Sequence, residues 1–166
     1  MEEIVKKNTE EVKDDKIVQL VTFVLASERY GIDIMKTREI MKMVSVTPIP
    51  NSIDFVEGVI NLRGSVIPII DLKKRFNLYN SEEKCTGMII LRLDDMEIGI
   101  MIDKVAKVIS ILASRILPPP PVVAGIGREY INGVAREDDE SLLIVLDINK
   151  ILSYEEVELM KENISI

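Results

Sequence analysis

Histidine is absent from the 166 residues, and cysteine occurs once, as Cys85. Without an imidazole no His-based acid/base or triad chemistry is possible, and no zinc site that uses histidine. One thiol forms neither an internal disulfide nor a thiolate zinc site, and this sparse use suits a reducing compartment. No run of eighteen apolar residues occurs, so the sequence offers no helical membrane span. Positive charge is in deficit: 21 Lys and Arg against 28 Asp and Glu give a net −7. An acidic surface repels phosphates, and three Phe with four Tyr leave little for stacking on bases. A small nucleic-acid-binding barrel is therefore the weaker reading.

What remains is ample for a core. A chain of this length buries about two thirds of its surface and folds without a metal or disulfide. Residues 1–16 are about two-thirds charged, with no apolar stretch of the kind a secretory signal needs, and read as a charged flexible tail. The body, 17–152, is rich in Ile, Val and Leu in short runs bounded by turn residues, which is strand patterning. Val18–Leu25 and Tyr30–Met35 flank Ala26-Ser27-Glu28-Arg29. Met88–Leu93 and Glu97–Ile102 flank Asp94-Asp95-Met96. Val56–Ile60 and Val66–Leu72 flank Asn61-Leu62-Arg63-Gly64, where Asn first and Gly last suit a type I turn. Tyr130–Ala135 and Leu142–Leu146 flank an acidic turn. Asp71 is placed to cap a helix from Leu72 to about Tyr79, and Asp147 one from Ile148 to Leu152. Ser153 with Glu156 forms a capping box before a short C-terminal helix within 153–166.

The hairpins fall into two matching sets. Phe55-Val56-Glu57-Gly58-Val59 aligns with Tyr130-Ile131-Asn132-Gly133-Val134, and Ile69-Ile70-Asp71-Leu72 with Val145-Leu146-Asp147-Ile148. Tyr30-Gly31-Ile32 aligns with Ile98-Gly99-Ile100, and Lys36 and Ile40 with Lys104 and Val108. The offset is 68 residues at Gly31/Gly99 and 75 at Gly58/Gly133; the extra seven fall around Pro118–Pro121. About five short strands per half favour a small closed barrel, the first at about 17–80 and the second at about 86–152. Strands such as Val18–Leu25 are apolar on both faces, which two barrels sharing a core would bury. Pro68 lacks a ladder donor, so it belongs at an edge or bulge.

Catalytic patterns are hard to find. No phosphate loop ends in Gly-Lys-Ser/Thr, and Gly125-Ile126-Gly127 lacks the third glycine of a dinucleotide fingerprint. Ser27, Ser65 and Ser141 have no histidine base, although a lysine is formally possible. Asp94-Asp95 and Asp138-Asp139 occupy hairpin tips, where Asp bonds the turn backbone and adjacent side chains diverge into water. Two surface features stand out instead. Arg63 at a turn tip is either a partner-contacting head or an arginine paired internally with Glu39. Thr37, Val105 and Val108 hold equivalent repeat positions where the halves meet, as core packing or as the wall of a groove for a partner helix.

The segment Phe55-Val56-Glu57-Gly58-Val59-Ile60-Asn61-Leu62-Arg63-Gly64-Ser65-Val66-Ile67-Pro68-Ile69-Ile70-Asp71-Leu72 resembles the signature of the CheW family, the bacterial chemotaxis coupling proteins. Tyr30-Gly31-Ile32-Asp33-Ile34, Arg38-Glu39-Ile40 and Gly99-Ile100-Met101-Ile102-Asp103-Lys104-Val105 resemble its first hairpin and its second half. The resemblance covers about Ile17 to Leu152. It implies an all-β fold of two packed five-stranded SH3-like β-barrels with short helices. It implies a cytoplasmic adaptor without catalysis or cofactor, recruited to membrane-associated receptor arrays. Its partners would be the cytoplasmic tip of chemoreceptors and the regulatory domain of the histidine kinase CheA. By motif position, receptor contact falls on Glu39, Gly58, Arg63, Gly99, Val105 and Val108, the glycines acting through backbone shape. Thr37 stands where an aliphatic residue is usual. Val46, Pro48, Val66 and Ile67 are the candidates for kinase contact. The related kinase and CheV need an ATP-binding or a receiver domain, for which this length has no room. A paralogue serving another sensory kinase array is the alternative.

Overall fold

The computed structural model describes residues 15–78, 84–123 and 125–164. Segments 1–14 and 79–83 lie outside the described residues. The helix expected from Leu72 to about Tyr79 is shorter, ending at Arg75 with Phe76 as its C-cap. The strands are β1 (Ile17–Leu25), β2 (Glu28–Asp33), β3 (Thr37–Lys42), β4 (Val56–Leu62), β5 (Ser65–Asp71), β6 (Gly87–Arg92), β7 (Glu97–Ile102) and β8 (Lys104–Leu112). A two-residue ribbon follows, β9 (Val122–Val123) with β10 (Ile126–Gly127), and then β11 (Ile131–Arg136) and β12 (Leu142–Leu146). The helices are α1 (Leu72–Arg75), α2 (Ile148–Ile151) and α3 (Tyr154–Ile164).

The two five-stranded sheets are not the two halves of the sequence. One runs β11-β12-β2-β1-β8 and the other β3-β6-β7-β5-β4. Hairpin β1–β2 of the first half thus completes the sheet of β8, β11 and β12. Hairpin β6–β7 of the second half completes that of β3, β4 and β5. This corrects the barrel boundaries at 17–80 and 86–152. The physical reason is the parallel seam: β5 pairs with β7 at Ile69↔Gly99, and β12 with β2 at Val145↔Gly31. A parallel neighbour cannot be reached by a tight turn, so it comes from the other half. The two seams are repeat equivalents, and the molecule has internal two-fold pseudosymmetry.

Each sheet closes on itself at one backbone bridge. Thr47, beyond β3, exchanges two hydrogen bonds with Val59 of β4, both 2.9 Å. Leu117, beyond β8, exchanges two with Val134 of β11, both 2.8 Å. Gly58 and Gly133 permit this approach. A Cβ at Gly58 (φ +151°) would stand 2.2 Å from the Thr47 carbonyl oxygen, and one at Gly133 2.8 Å from that of Leu117. Because Val59 turns its polar backbone groups to Thr47, its cross-strand partner Pro68 has no donor to supply on that side. The β7 ladder starts one residue later, at Ile69. Pro68 therefore sits in an inner strand, where no ladder bond is lost.

Strands apolar on both faces now have a reason. One face fills its own sheet's interior: Ile60, Ile67, Ile69, Met88 and Ile90 in one, Leu20, Ile111, Ala135, Leu143 and Val145 in the other. The opposite face enters a common core that joins Phe23, Tyr30 and Ile32 to Ile89, Leu91, Ile98 and Ile100. At about 1.5–3 kcal/mol per fully buried large aliphatic side chain, this shared layer is what holds the bodies together. One buried polar knot adds to it. Asp103 accepts from the Ala26 backbone N–H at 2.8 Å and pairs with Lys73 Nζ at 2.5 Å, tying the β1–β2 turn to α1.

Asp71 caps α1 through the N–H groups of Lys73 and Lys74, and Asp147 caps α2 through Asn149. The Ser153–Glu156 box forms reciprocally, at 2.8 and 3.1 Å. Among the described residues no helix is long and apolar enough to cross a membrane.

Candidate functional site

The β4–β5 ladder continues to Leu62↔Ser65, so the connecting loop is only Arg63-Gly64. Both have positive φ, +49° and +88°. This is the backbone of a primed hairpin turn, not the type I turn expected, because two-residue loops must match the strand twist. Asn61 Oδ1 accepts from the Gly64 N–H at 3.0 Å and steadies it. The turn lifts Arg63 over the closure seam, where Nη1 and Nη2 donate to the two carboxylate oxygens of Glu39 at 3.0 and 3.1 Å. Glu39 lies on β3 and Arg63 beside β4, the two edge strands, so this fork spans the seam of a closed sheet. The Arg63 side chain is still 66% exposed, with donors to spare. One residue earlier on β3, Arg38 donates to Glu97 at 2.6 Å.

The other candidate receptor positions divide into two kinds. Gly58 and Gly99 are buried. A Cβ on Gly99 would press to 2.5 Å of Ile69 Cδ1, so each glycine shapes the backbone and presents no side chain. Val108, 49% exposed, lies on β8 of the other sheet. Val105 pairs with Phe23 in the β1–β8 ladder, and its side chain is outside the described residues. The structure thus joins Glu39 to Arg63 directly but shows no contact from that pair to Val108. Ile40, the repeat equivalent of Val108 by the 68-residue offset, is also exposed and joins the candidates.

Of the four kinase candidates, Val66 stands 49% exposed on the wall of a groove of about 700 Å³ between β5, the β6–β7 tip and α3. Pro68, Leu93, Met96 and Ile164 give it an apolar lining. Pro48 is exposed beside the Thr47 bridge, and Val46 is half-buried against the inner cluster. Ile67 is corrected. At 1% exposure it is a core side chain packed with Ile60 and Met88, because the strand alternation turns it inward where Val66 turns out.

Among the described residues, the Cys85 thiol and the acidic turn residues Asp95 and Asp139 are held in structural contacts. Burial pushes the Cys85 thiol up to about 12, so the thiolate is scarce at neutral pH. Asp95 is engaged by Lys161 and Asp139 by Ser141, and both carboxyls lie below their ordinary range because of those hydrogen bonds. Among the described residues no three His, Cys, Asp or Glu are grouped to hold a metal.

The CheW-like domain model matches residues 19–156. The chemotaxis protein CheW of Treponema pallidum is 47% identical over 150 residues, covering 87% of this chain and 88% of that protein. The chemotaxis protein CheW of Klebsiella aerogenes is 40% identical, covering 86% of each. The crystal structure of the scaffolding protein TtCheW from Thermoanaerobacter tengcongensis superposes with a TM-score of 0.77 at 37% identity, over 85% of this chain and 91% of that one.

Proposed function

This chain belongs to the CheW family of chemotaxis scaffolds, and from that we propose that it couples the cytoplasmic tips of chemoreceptors to the regulatory domain of the kinase CheA. The work is linkage, with no bond made or broken. Receptor state reaches the kinase because affinity for the adaptor differs between signalling states. It acts in the cytoplasm, at receptor arrays. The observation that carries the receptor contact is the Glu39–Arg63 fork: a planar head held in place at a turn tip, two thirds in solvent, above a closed and rigid sheet. Gly58 lets the backbone beneath it close, and Gly99 leaves room for Ile69 inside the sheet. Ile40 and Val108 supply exposed apolar surface on the equivalent strands of the two sheets. The kinase contact is assigned to the groove at Val66, with Val46 and Pro48 at its barrel's closure; Ile67 supports that surface from inside.

Arg63→Ala should weaken binding to a receptor cytoplasmic fragment by about 1–2 kcal/mol, roughly five- to thirty-fold. Its melting curve should stay close to native, since an exposed ion pair contributes about 0–1 kcal/mol. Calorimetric titration against the fragment reads the affinity, and a thermal scan of the free variant reads the melt. Unchanged affinity with a native melt would remove Arg63 from the contact.

A further inference from the structure

The duplication that builds the Glu39–Arg63 face builds its counterpart on the other sheet with the charges reversed. The offset of 68 carries Glu39 to Lys107 and Glu97 to Arg29, and the offset of 75 carries Arg63 to Asp138. The strand registers support the correspondence, since Thr37↔Leu91 and Phe23↔Val105 are equivalent pairs. Arg29, Lys107 and Asp138 do converge: they line one cleft of about 300 Å³, together with Arg115, Arg136 and Glu137.

Its charges are unevenly satisfied. Glu137 pairs with Arg29 Nε at 2.9 Å and accepts from Ser141 Oγ at 3.0 Å. Asp139, also on the rim, accepts from Ser141 Oγ and N–H at 2.6 and 3.1 Å. Lys107, Arg115 and Arg136 have no ion-pair partner among the described residues, against two carboxylates without one, Asp138 and the Ser141-bonded Asp139. A carboxylate seated in the cleft would accept charge-assisted hydrogen bonds from these exposed cations.

We propose that this cleft docks a carboxylate-bearing segment of a partner protein, as a second recognition surface of opposite polarity to the Glu39–Arg63 face. On a chain of net −7, three free cations facing one concavity give acidic segments a local point of attraction and an orientation. The inference does not depend on what the Glu39–Arg63 face binds.

The test uses the full chain and fluorescein-labelled hexaglutamate, read by anisotropy at 50 and 300 mM salt. The peptide should bind, and bind more weakly at the higher salt. Lys107→Glu/Arg136→Glu should lose at least tenfold in affinity and Lys107→Gln a smaller factor, both with native melting profiles because both side chains are exposed. Arg63→Ala should bind the peptide as the parent does. Equal affinity in the double variant would overturn the proposal. So would Lys107-dependent self-association in sedimentation, which would give the cleft to a second copy. A tenfold gain on removing residues 1–14 would likewise overturn it, by giving the cleft to the chain's own terminal segment.

Discussion

At the residue scale, glycine 58 carries more of the fold than any charged side chain near it. Its Cβ-less backbone admits the Thr47 carbonyl that closes the sheet under Arg63. Gly58→Ala forces that carbonyl away and strains φ +151°, so it should cost about 2 kcal/mol or more, read as a fall in denaturation midpoint. A midpoint equal to the parent's would mean the seam is not closed there. The sequence made the Arg63 turn legible, because Asn and Gly bracket it, but not its class. Type I and primed turns share those residues, and strand pairing up to Leu62↔Ser65 decides between them. Ile67 misled for a related reason. In a strand apolar throughout, alternation gives no sign of which face is inside, and only its packing against Ile60 and Met88 does.

At the element scale, the hairpins were readable because each is local: turn residues and flanking apolar runs suffice. Their exchange between sheets was not, since hydrophobic period says nothing of which sheet a hairpin joins. The C-terminal helix was readable in full, from the Ser153–Glu156 box. Besides that box, α3 is fastened by Met160, 2% exposed in the shared core with Val157 packed against it, and by Lys161 with Asp95 and Arg75 with Glu156. Met160 lies about two turns from the cap, so loss of the cap should be felt locally, in the first turns. Ser153→Ala should lower the opening free energy of α3 by about 1 kcal/mol, seen as faster amide exchange in 155–163, while the β-sheet amides keep their protection. Unchanged exchange in α3 would show that the capping box contributes nothing there.

At the scale of the whole molecule, exchange of hairpins makes the two bodies one folding unit. Each half of the chain lends one two-stranded hairpin to the sheet of the other half, so that four strands of each half pair with strands of the other. Fragments 1–80 and 81–166 should each lack a cooperative melt and should regain one when mixed in equal amounts. Two fragments that each melt cooperatively as monomers would contradict the shared core. A rigid two-body frame suits the proposed linkage: it holds two surfaces at fixed separation. The proposed receptor surface, the Glu39–Arg63 seam, and the proposed kinase surface, the Val66 groove, are distinct, so on this proposal the two partners need not compete. The most direct test is sedimentation of the chain with a receptor fragment and the CheA regulatory domain together. The account predicts a ternary complex, and predicts that Arg63→Ala loses the receptor and keeps the kinase domain. Mutually exclusive binding, or loss of both partners in that variant, would contradict it.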